Sequence, residues 1–502
     1  MNIKRAKEEI KNTIEAYLLK NVYGEYEIPA IRQRPVLLLG APGIGKTQIM
    51  EQIAKECQVG LVSYTITHHT RQSAIGLPFI SKKEFGGKEY AVTEYTMSEI
   101  VASIYEKMEK TGLSEGILFI DEINCVSETL APAMLQFLQC KTFGSHEIPG
   151  GWIIVAAGNP PEYNKSVREF DVVTMDRVKK IEVEPDFEVW KEYAYKQNIH
   201  PAVISYLNAR PRYFYRMETT VDGRKFATPR GWEDLSRMLE VYEKLHKTAD
   251  REMIVQYIQH EKIAKDFANY LELYEKYQMD YQIEAVLEGK IDDILIKKAA
   301  HASFDERLSV ISLLLSRCTG QFRRVFLKEQ ELAVLFEKLR ELKEGFLGLH
   351  RSQPQIWMAE SVASMQGEYE QKKQAELLTR EEDQIYRLAL ELLERYALEL
   401  EKVEAQDGDG AFALVKTWFG KEQDTLEEMQ DGAEQMLEHV FDFMELVFGT
   451  GQEMVVWITE LNSNYYSVRF LQEYDCERYY RYNKELLFEE SSRSIEARLQ
   501  EL

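Results

Sequence analysis

Short apolar runs, each ended by small or polar residues, predict buried strands in the first third of the chain. They lie at residues 36–39, 117–120 and 152–157. Continuous apolar runs of this length are typical of parallel strands that are covered on both faces. The segment after the first run instead carries Ile49 and Ile53 four residues apart, which predicts a helix.

Apolar residues at helical spacing dominate the remainder of the chain. At the N-terminus, Ile3, Ala6, Ile10 and Ile14 predict an amphipathic helix rather than a secretory signal, because charges interrupt the segment throughout. Far downstream, the Thr379-x-x-Glu382 spacing of a capping box predicts another helix start. The apolar residues that follow it on one helical face are Ile385, Leu388, Leu392, Tyr396, Leu400 and Val403. This face either packs within its own domain or belongs to a protruding hairpin that docks partners.

Composition narrows the classes of function. The chain has 502 residues, 45% of them apolar, and a formal net charge of −22. This length predicts two or three domains, and no apolar window is long enough for a membrane span. Because nucleic acids and anionic membranes are bound through Lys and Arg, the acidic balance disfavours both as partners. Five scattered cysteines without a CxxC pair favour reduced thiols, and we expect a cytoplasmic protein.

A phosphate-binding loop joins the first predicted strand to the helix after it. Residues 40–47 satisfy the pattern G-x-x-x-x-G-K-[ST], whose glycines let backbone N–H groups converge on phosphates. Lys46 is expected to reach the β- and γ-phosphates of ATP, and the Thr47 hydroxyl to ligate Mg²⁺. The predicted nucleotide-binding residues are Gly40, Ala41, Pro42, Gly43, Ile44, Gly45, Lys46, Thr47 and Gln48.

Polar residues at the ends of the other two strands are candidates for hydrolysis. Asp121 and Glu122 end the second run, and alternation along a strand is expected to point them in opposite directions. Asp121 could then support Mg²⁺ while Glu122 addresses the water that attacks the γ-phosphate. Asn159 follows the third run before two prolines. Its amide could hold the attacking water, although Asn before Pro is also a common turn device.

The ordered motifs GAPGIGKT, LFIDEIN, AAGNP and MDRV resemble those of AAA+ ATPases, and most closely the MoxR-type branch, over about residues 30–245. The resemblance implies an α/β P-loop NTPase core with a parallel five-stranded sheet between helices, an α-helical lid and a mostly α-helical C-terminal region. The predicted domains are the core at residues 1–185, the lid at 186–300 and a partner-binding C-terminal region at 301–502. Members assemble as rings, usually hexamers, with ATP between neighbouring subunits.

Two arginines acquire roles from this resemblance. Arg177, in MDRV, aligns with the arginine finger that acts on the ATP of the adjacent subunit. Val178 stands where the family usually has Phe, so Arg168 remains a rival, and either arginine could instead form a surface ion pair. Arg230 would oppose the dipole of the helix that Thr228 is expected to cap, and a bound anion would remove that conflict. Its position matches the sensor-2 arginine of the family lid.

The expected function is ATP hydrolysis by a Mg²⁺-dependent ring ATPase that remodels or matures a protein client. By resemblance, the partner proteins of such an ATPase include proteins with a von Willebrand factor A domain. The polar segment at residues 68–78 is a candidate substrate-contacting loop, with an ordinary polar loop as the alternative. Two other functions stay open, namely an AAA+ protein that acts on nucleic acid and a P-loop nucleotide switch without remodelling activity.

Overall fold

Contacts divide the chain into two compact units. The first comprises residues 1–189 and 367–383, and the second comprises residues 190–366 and those after 383. The computed structural model describes residues 1–68, 74, 76–143, 146–163, 170–220, 223–348, 350–403 and 407–486. The division into core, lid and C-terminal region that the sequence suggests stays a prediction.

A five-stranded parallel sheet forms the centre of the first unit. The strands of this unit are β1 (Val36–Gly40), β2 (Gly60–Thr65), β3 (Pro78–Phe85), β4 (Lys88–Tyr95), β5 (Gly116–Asp121), β6 (Thr142–Phe143), β7 (His146–Glu147), β8 (Trp152–Gly158) and β9 (Lys179–Val183). The sheet has the order β2-β5-β8-β1-β9, and every neighbouring pair in it is parallel. The carboxyl ends of β1, β5 and β8 therefore meet at one edge. This arrangement confirms the predicted fold class.

Helices cover this sheet because its strands are apolar on both faces. Every residue of β8 is buried, and in β5 all but the last. The helices of the first unit up to residue 176 are α1 (Ile3–Leu18), α2 (Lys46–Glu56), α3 (Glu99–Thr111), α4 (Ala131–Cys140) and α5 (Val172–Asp176). As predicted, α1 buries Ala6, Ile10 and Ile14, and α2 buries Ile49 and Ile53. Helices α1 and α2 thus each bury one apolar stripe.

An exposed hairpin follows the second strand of the sheet, where the sequence suggested only a polar insert. Strands β3 and β4 pair antiparallel through eight residue pairs and are joined by Gly86 and Gly87. Both glycines have positive φ, which suits the tight two-residue turn. Of the candidate substrate-contacting loop at residues 68–78, residues 69–73 and 75 lie outside the described residues, and Pro78 begins β3.

From residue 187 onward the chain is mostly helical. The elements are α6 (Phe187–Lys196), α7 (Pro201–Ala209), β10 (Arg216–Thr220), β11 (Gly223–Ala227), α8 (Pro229–Lys244), α9 (Arg251–Tyr257), α10 (Glu261–Asp280), α11 (Ile283–Leu287), α12 (Asp293–His301), α13 (Phe304–Leu347), α14 (Pro354–Gln374), α15 (Arg380–Val403), α16 (Gly408–Phe448), α17 (Gln452–Ser463) and α18 (Tyr465–Glu473). No helix that the structure describes has an apolar stretch of the length a bilayer crossing needs.

The apolar face of α15 packs inside the second unit, which is the first of the two predicted alternatives. Leu393, Tyr396 and Leu400 belong to one buried cluster with residues of α13, α14 and α16. The capping box is confirmed, because the Glu382 N–H donates to Thr379 Oγ1 at 3.2 Å and Glu382 Oε2 accepts from the Thr379 N–H at 2.8 Å. Val403 does not share the buried face. It is the last residue of the helix and is 53% exposed.

Candidate functional site

The loop of residues 40–47 connects β1 to α2 at the carboxyl edge of the sheet. Gly43 and Gly45 have φ of 78° and 93°, a left-handed conformation that residues with a side chain rarely adopt. Gly45 precedes α2 directly, so that helix begins at Lys46 with Thr47 and Gln48 in its first turn. The first N–H groups of a helix have no partner within it, and they favour an anion at this end. The loop therefore has the local geometry of a phosphate cradle.

Lys46 brings the loop together with Asn159. Its side chain is buried, and Nζ donates to Gly40 O at 2.8 Å and to Ala41 O at 2.9 Å. A third bond runs from Nζ to Asn159 Oδ1, also at 2.9 Å. Because Asn159 follows β8 and the loop follows β1, neighbouring strands of the sheet position these two side chains. The ammonium group is thus held at a fixed place on the edge.

Thr47 and Asp121 form the pair predicted to hold a metal ion. Thr47 Oγ1 donates to Asp121 Oδ2 at 3.1 Å, and Asp121 Oδ1 accepts from the Glu122 N–H at 2.8 Å. A hydroxyl and a carboxylate are oxygen ligands of the kind Mg²⁺ prefers, and this ion commonly takes one or two protein ligands beside phosphate and water. The donor set therefore fits the predicted ion.

Glu122 diverges from Asp121 for a reason other than the predicted one. Strand β5 ends at Asp121, and Glu122 adopts a left-handed conformation with φ of 57°, so strand alternation does not reach it. Its Oε2 accepts a hydrogen bond from Thr67 Oγ1 at 3.0 Å, whereas the Asp121 carboxylate contacts Thr47. The two carboxylates thus have separate partners, and a turn rather than the pleat separates them.

Sequence reasoning gave no role to Thr67 or Asn124, which contact the predicted site residues. Thr67 lies just beyond β2, the neighbour of β5 in the sheet. Asn124 lies two residues after Glu122, and its Nδ2 donates to Asn159 O at 2.8 Å. Both are polar residues close behind a strand end. That position is the signal that could have found them, since functional groups gather at the carboxyl edge of a parallel sheet.

Arg177 directly follows the short helix α5 and is exposed. Its guanidinium donates to the side-chain oxygen of Gln139 on α4. Val178, the residue after Arg177, is buried in the core of the first unit. An exposed arginine is available to another molecule, but its role as the finger stays a prediction. The rival Arg168 lies outside the described residues.

Arg230 belongs to the second unit, and the helix start predicted around it, with Thr228 as the cap, is confirmed. Thr228 Oγ1 accepts from the Gly231 N–H at 3.2 Å and caps α8, and Pro229 is the first helical residue. Arg230 is exposed in the first turn, where its charge opposes the helix dipole. The buried Trp232 anchors the same turn. Whether Arg230 senses a nucleotide stays a prediction.

Comparison with known proteins identifies the domain that carries the loop. Residues 36–174 match the family model described as "ATPase family associated with various cellular activities (AAA)". This segment, which contains Lys46, Asp121 and Asn159, is therefore an AAA ATPase domain. No curated protein matches the chain.

Solved structures also show similarity. A presumed ATPase from Cytophaga hutchinsonii is 16% identical, with a TM-score of 0.21, over 36% of this chain and 51% of that chain. A Thermotoga maritima RuvB mutant is 16% identical, with a TM-score of 0.28, over 52% of this chain and 69% of that chain. The match thus spans about half the length of the first of these structures.

Proposed function

We propose that this protein is a Mg²⁺-dependent ATPase of the MoxR type that couples hydrolysis to the remodelling or maturation of a protein client. One observation carries the proposal. Hydrogen bonds join Lys46 to Asn159 and Thr47 to Asp121 at a single edge of the sheet, inside the segment that matches the AAA model. Because a Thr–Asp pair of this kind holds Mg²⁺ in P-loop NTPases generally, the MoxR type and the protein client are proposed from the resemblance of the motifs.

Each residue has a role that its position supports. Lys46 and the N–H groups that open α2 would bind the phosphates of ATP. Thr47 and Asp121 would hold Mg²⁺, which supplies positive charge to the phosphoryl group during transfer. Glu122 would accept a proton from the attacking water or orient it, and Asn159 would help to fix that water.

The proposed assembly is a homo-oligomeric ring, with six subunits as the expected number. Arg177 is exposed, as a residue that completes a neighbour's site must be. The proposed client is a protein, with von Willebrand factor A domain proteins as the first class to test. We propose no nucleic-acid or membrane partner, because a net charge of −22 repels polyanionic surfaces. The proposed location is the cytoplasm.

Phosphate release from the purified full chain tests the ATPase. Wild type should release phosphate from Mg-ATP, whereas Lys46→Ala should release none above background. Glu122→Gln should still bind a fluorescent ATP analogue while turnover falls by at least about a hundredfold. Lys290→Ala is the matched control, since that lysine pairs with Glu288 at the surface, and its turnover should equal wild type. Ordinary turnover in both site variants would contradict the proposal.

Capture of the client tests the second half of the proposal. Glu122→Gln with ATP should retain a protein client that Lys46→Ala with ATP does not. The same Glu122→Gln sample, run through light scattering, should form a ring, and a monomer under these conditions would overturn the assembly. Retention of nucleic acid that is insensitive to about 0.2 M salt would instead favour the AAA+ function on nucleic acid.

A further inference from the structure

Asn124 occupies an unusual place for an asparagine. It lies in a short 3-10 turn, Ile123–Cys125, directly after Glu122, and only 4% of its surface is exposed. Its neighbours Ile123 and Val126 belong to the apolar core of the first unit. An amide among such residues costs stability unless its hydrogen-bonding groups are satisfied.

Only one half of the Asn124 amide has a partner. Nδ2 donates to Asn159 O at 2.8 Å, whereas Oδ1 has no hydrogen-bond partner among the residues that the structure describes. A buried amide with one unsatisfied group contributes less to the stability of the folded protein than an apolar side chain of similar shape. Packing alone would therefore favour leucine at this position. The bond to Asn159 is the contact that leucine could not make.

Gly158 provides the space for this contact. A Cβ at Gly158 would lie 2.5 Å from Asn124 Oδ1 and 2.8 Å from its Cγ. Gly158 continues β8 without a positive φ, so the turn geometry does not require a glycine here. The Asn124 amide instead lies against the main chain of β8 where a side chain would stand. It thereby reaches the carbonyl group of the next residue.

The same residue that Asn124 holds also contacts Lys46. Asn159 offers its carbonyl to Asn124 and its side-chain Oδ1 to Lys46 Nζ, at 2.8 and 2.9 Å. Pro160 follows and restricts the main chain of Asn159 to extended conformations. The carbonyl bond further restrains ψ of Asn159, so the main-chain position from which the Asn159 side chain extends to Lys46 depends on Asn124.

We propose that Asn124 is a positioning residue, which holds the main chain of Asn159 and thereby aligns the Asn159 amide for ATP hydrolysis. This inference rests on the ATPase function proposed above. Asn124 acts through Asn159 and does not touch the substrate. Its loss therefore lowers kcat and leaves nucleotide binding, which depends on the loop of residues 40–47, nearly unchanged. Displacement of a reacting group by about 1 Å costs as much as a hundredfold in rate.

Two variants and a control test the proposal at a temperature where circular dichroism shows every variant folded. Asn124→Leu keeps the number and branching of the side-chain heavy atoms and removes the donor, and Asn124→Asp replaces the donor by an acceptor that faces the Asn159 carbonyl. Each should lower kcat by about ten- to a hundredfold, while the Kd of a fluorescent ATP analogue changes by less than about threefold. Val126→Ala shortens a buried neighbour in the same turn and should lower the melting temperature without this loss of kcat.

A double-mutant cycle distinguishes positioning from general damage. In an Asn159→Ala background, adding Asn124→Leu should change kcat by less than about twofold, because the group that it aligns is already gone. A full further loss in that background, or unchanged kcat in both single variants, overturns the role of Asn124. Wild-type protein that hydrolyses no ATP would overturn the proposed function itself, which is a separate result.

Discussion

At the scale of single residues, Lys141 is a lysine that burial shields from water. It follows α4 in a left-handed conformation, is buried, and donates from Nζ to Gln33 Oε1 at 3.2 Å. Burial disfavours the charged form and lowers the pKa of Lys141 to about 8. The folded protein thus holds this proton less tightly than the unfolded chain, in which lysine has a pKa of about 10.4.

Replacing Lys141 should make stability less dependent on pH. Below pH 8 both states are protonated, and the cost of burying the charge, at most about 3 kcal/mol, is present in full. As pH rises from about 8 to 10.5 the folded state loses the proton first, and wild type gains stability relative to Lys141→Met. Urea unfolding across this range should show the difference between the two proteins closing.

A surface lysine supplies the control for that experiment. Lys290→Met should run parallel to wild type over the same pH range, since Lys290 is 74% exposed. Parallel curves for wild type and Lys141→Met would show that Lys141 is not the buried charge inferred here.

At the scale of elements, the long helix α13 contains two glycines in different surroundings. A Cβ on Gly345 would overlap the indole of Trp357 in α14, whose Nε1 donates to Leu342 O at 3.3 Å. A Cβ on Gly320 would meet nothing within 4 Å. Gly345 therefore allows two helices to approach, whereas Gly320 only weakens its own helix.

The same substitution should have opposite effects at these two positions. Gly320→Ala should raise the free energy of unfolding by about 0.5–1 kcal/mol, because alanine is the better helix former. Gly345→Ala should lower it by about 1–3 kcal/mol, because the indole must move. Chemical denaturation of both variants measures this. Equal stabilisation by Gly320→Ala and Gly345→Ala would mean that the Trp357 indole can move aside without lowering the free energy of unfolding.

Elements with buried faces could be predicted from the sequence, and exposed ones could not. Strands β1, β5 and β8 are continuous apolar runs because helices cover both their faces, and the N-terminal helix has a clear apolar stripe. The hairpin β3–β4 is exposed along almost its whole length, so no apolar pattern marks it. Its Gly86-Gly87 turn is a signal that the sequence does contain, since two adjacent glycines suit a two-residue hairpin loop.

In the candidate site, too, some residues could be predicted from the sequence and others could not. Lys46, Thr47 and Asp121 are recognisable because each lies within a local motif that its own chemistry explains. The contact of Thr67 with Glu122 depends on β2 lying beside β5, and that of Asn124 with Asn159 on β5 lying beside β8. Strand order arises from the packing of distant segments, and one sequence does not determine it.

At the scale of the whole molecule, Arg177 of one subunit in the proposed ring would act on the ATP that is bound to the adjacent subunit. If it acts on the ATP of a neighbour, Arg177→Ala and Lys46→Ala subunits are each inactive alone. A mixture of the two contains some sites with an intact Lys46 and an intact Arg177 from the adjacent subunit. Phosphate release should then recover to roughly a quarter of wild type in an equal mixture, as random pairing predicts.

Two further mixtures of variants serve as controls for the mixing experiment. Mixing Arg177→Ala with Glu122→Gln should recover activity in the same way, because the second defect also lies in the chain that binds the nucleotide. Mixing Lys46→Ala with Glu122→Gln should recover none, because both defects then belong to the same half of the site. Absence of recovery at every ratio of Arg177→Ala to Lys46→Ala would place the arginine outside a shared site.

The division into units has a consequence for how the first unit folds while the ribosome is still synthesising the chain. The first unit takes most of its residues from the start of the chain and the rest from residues 367–383, where Glu376 accepts a 2.8 Å hydrogen bond from Lys107. The two parts are separated by the 177 residues 190–366. At translation rates of 5–20 residues per second, the ribosome needs roughly 10–40 s to supply the missing segment. During that interval the nascent ATPase domain must exist without it.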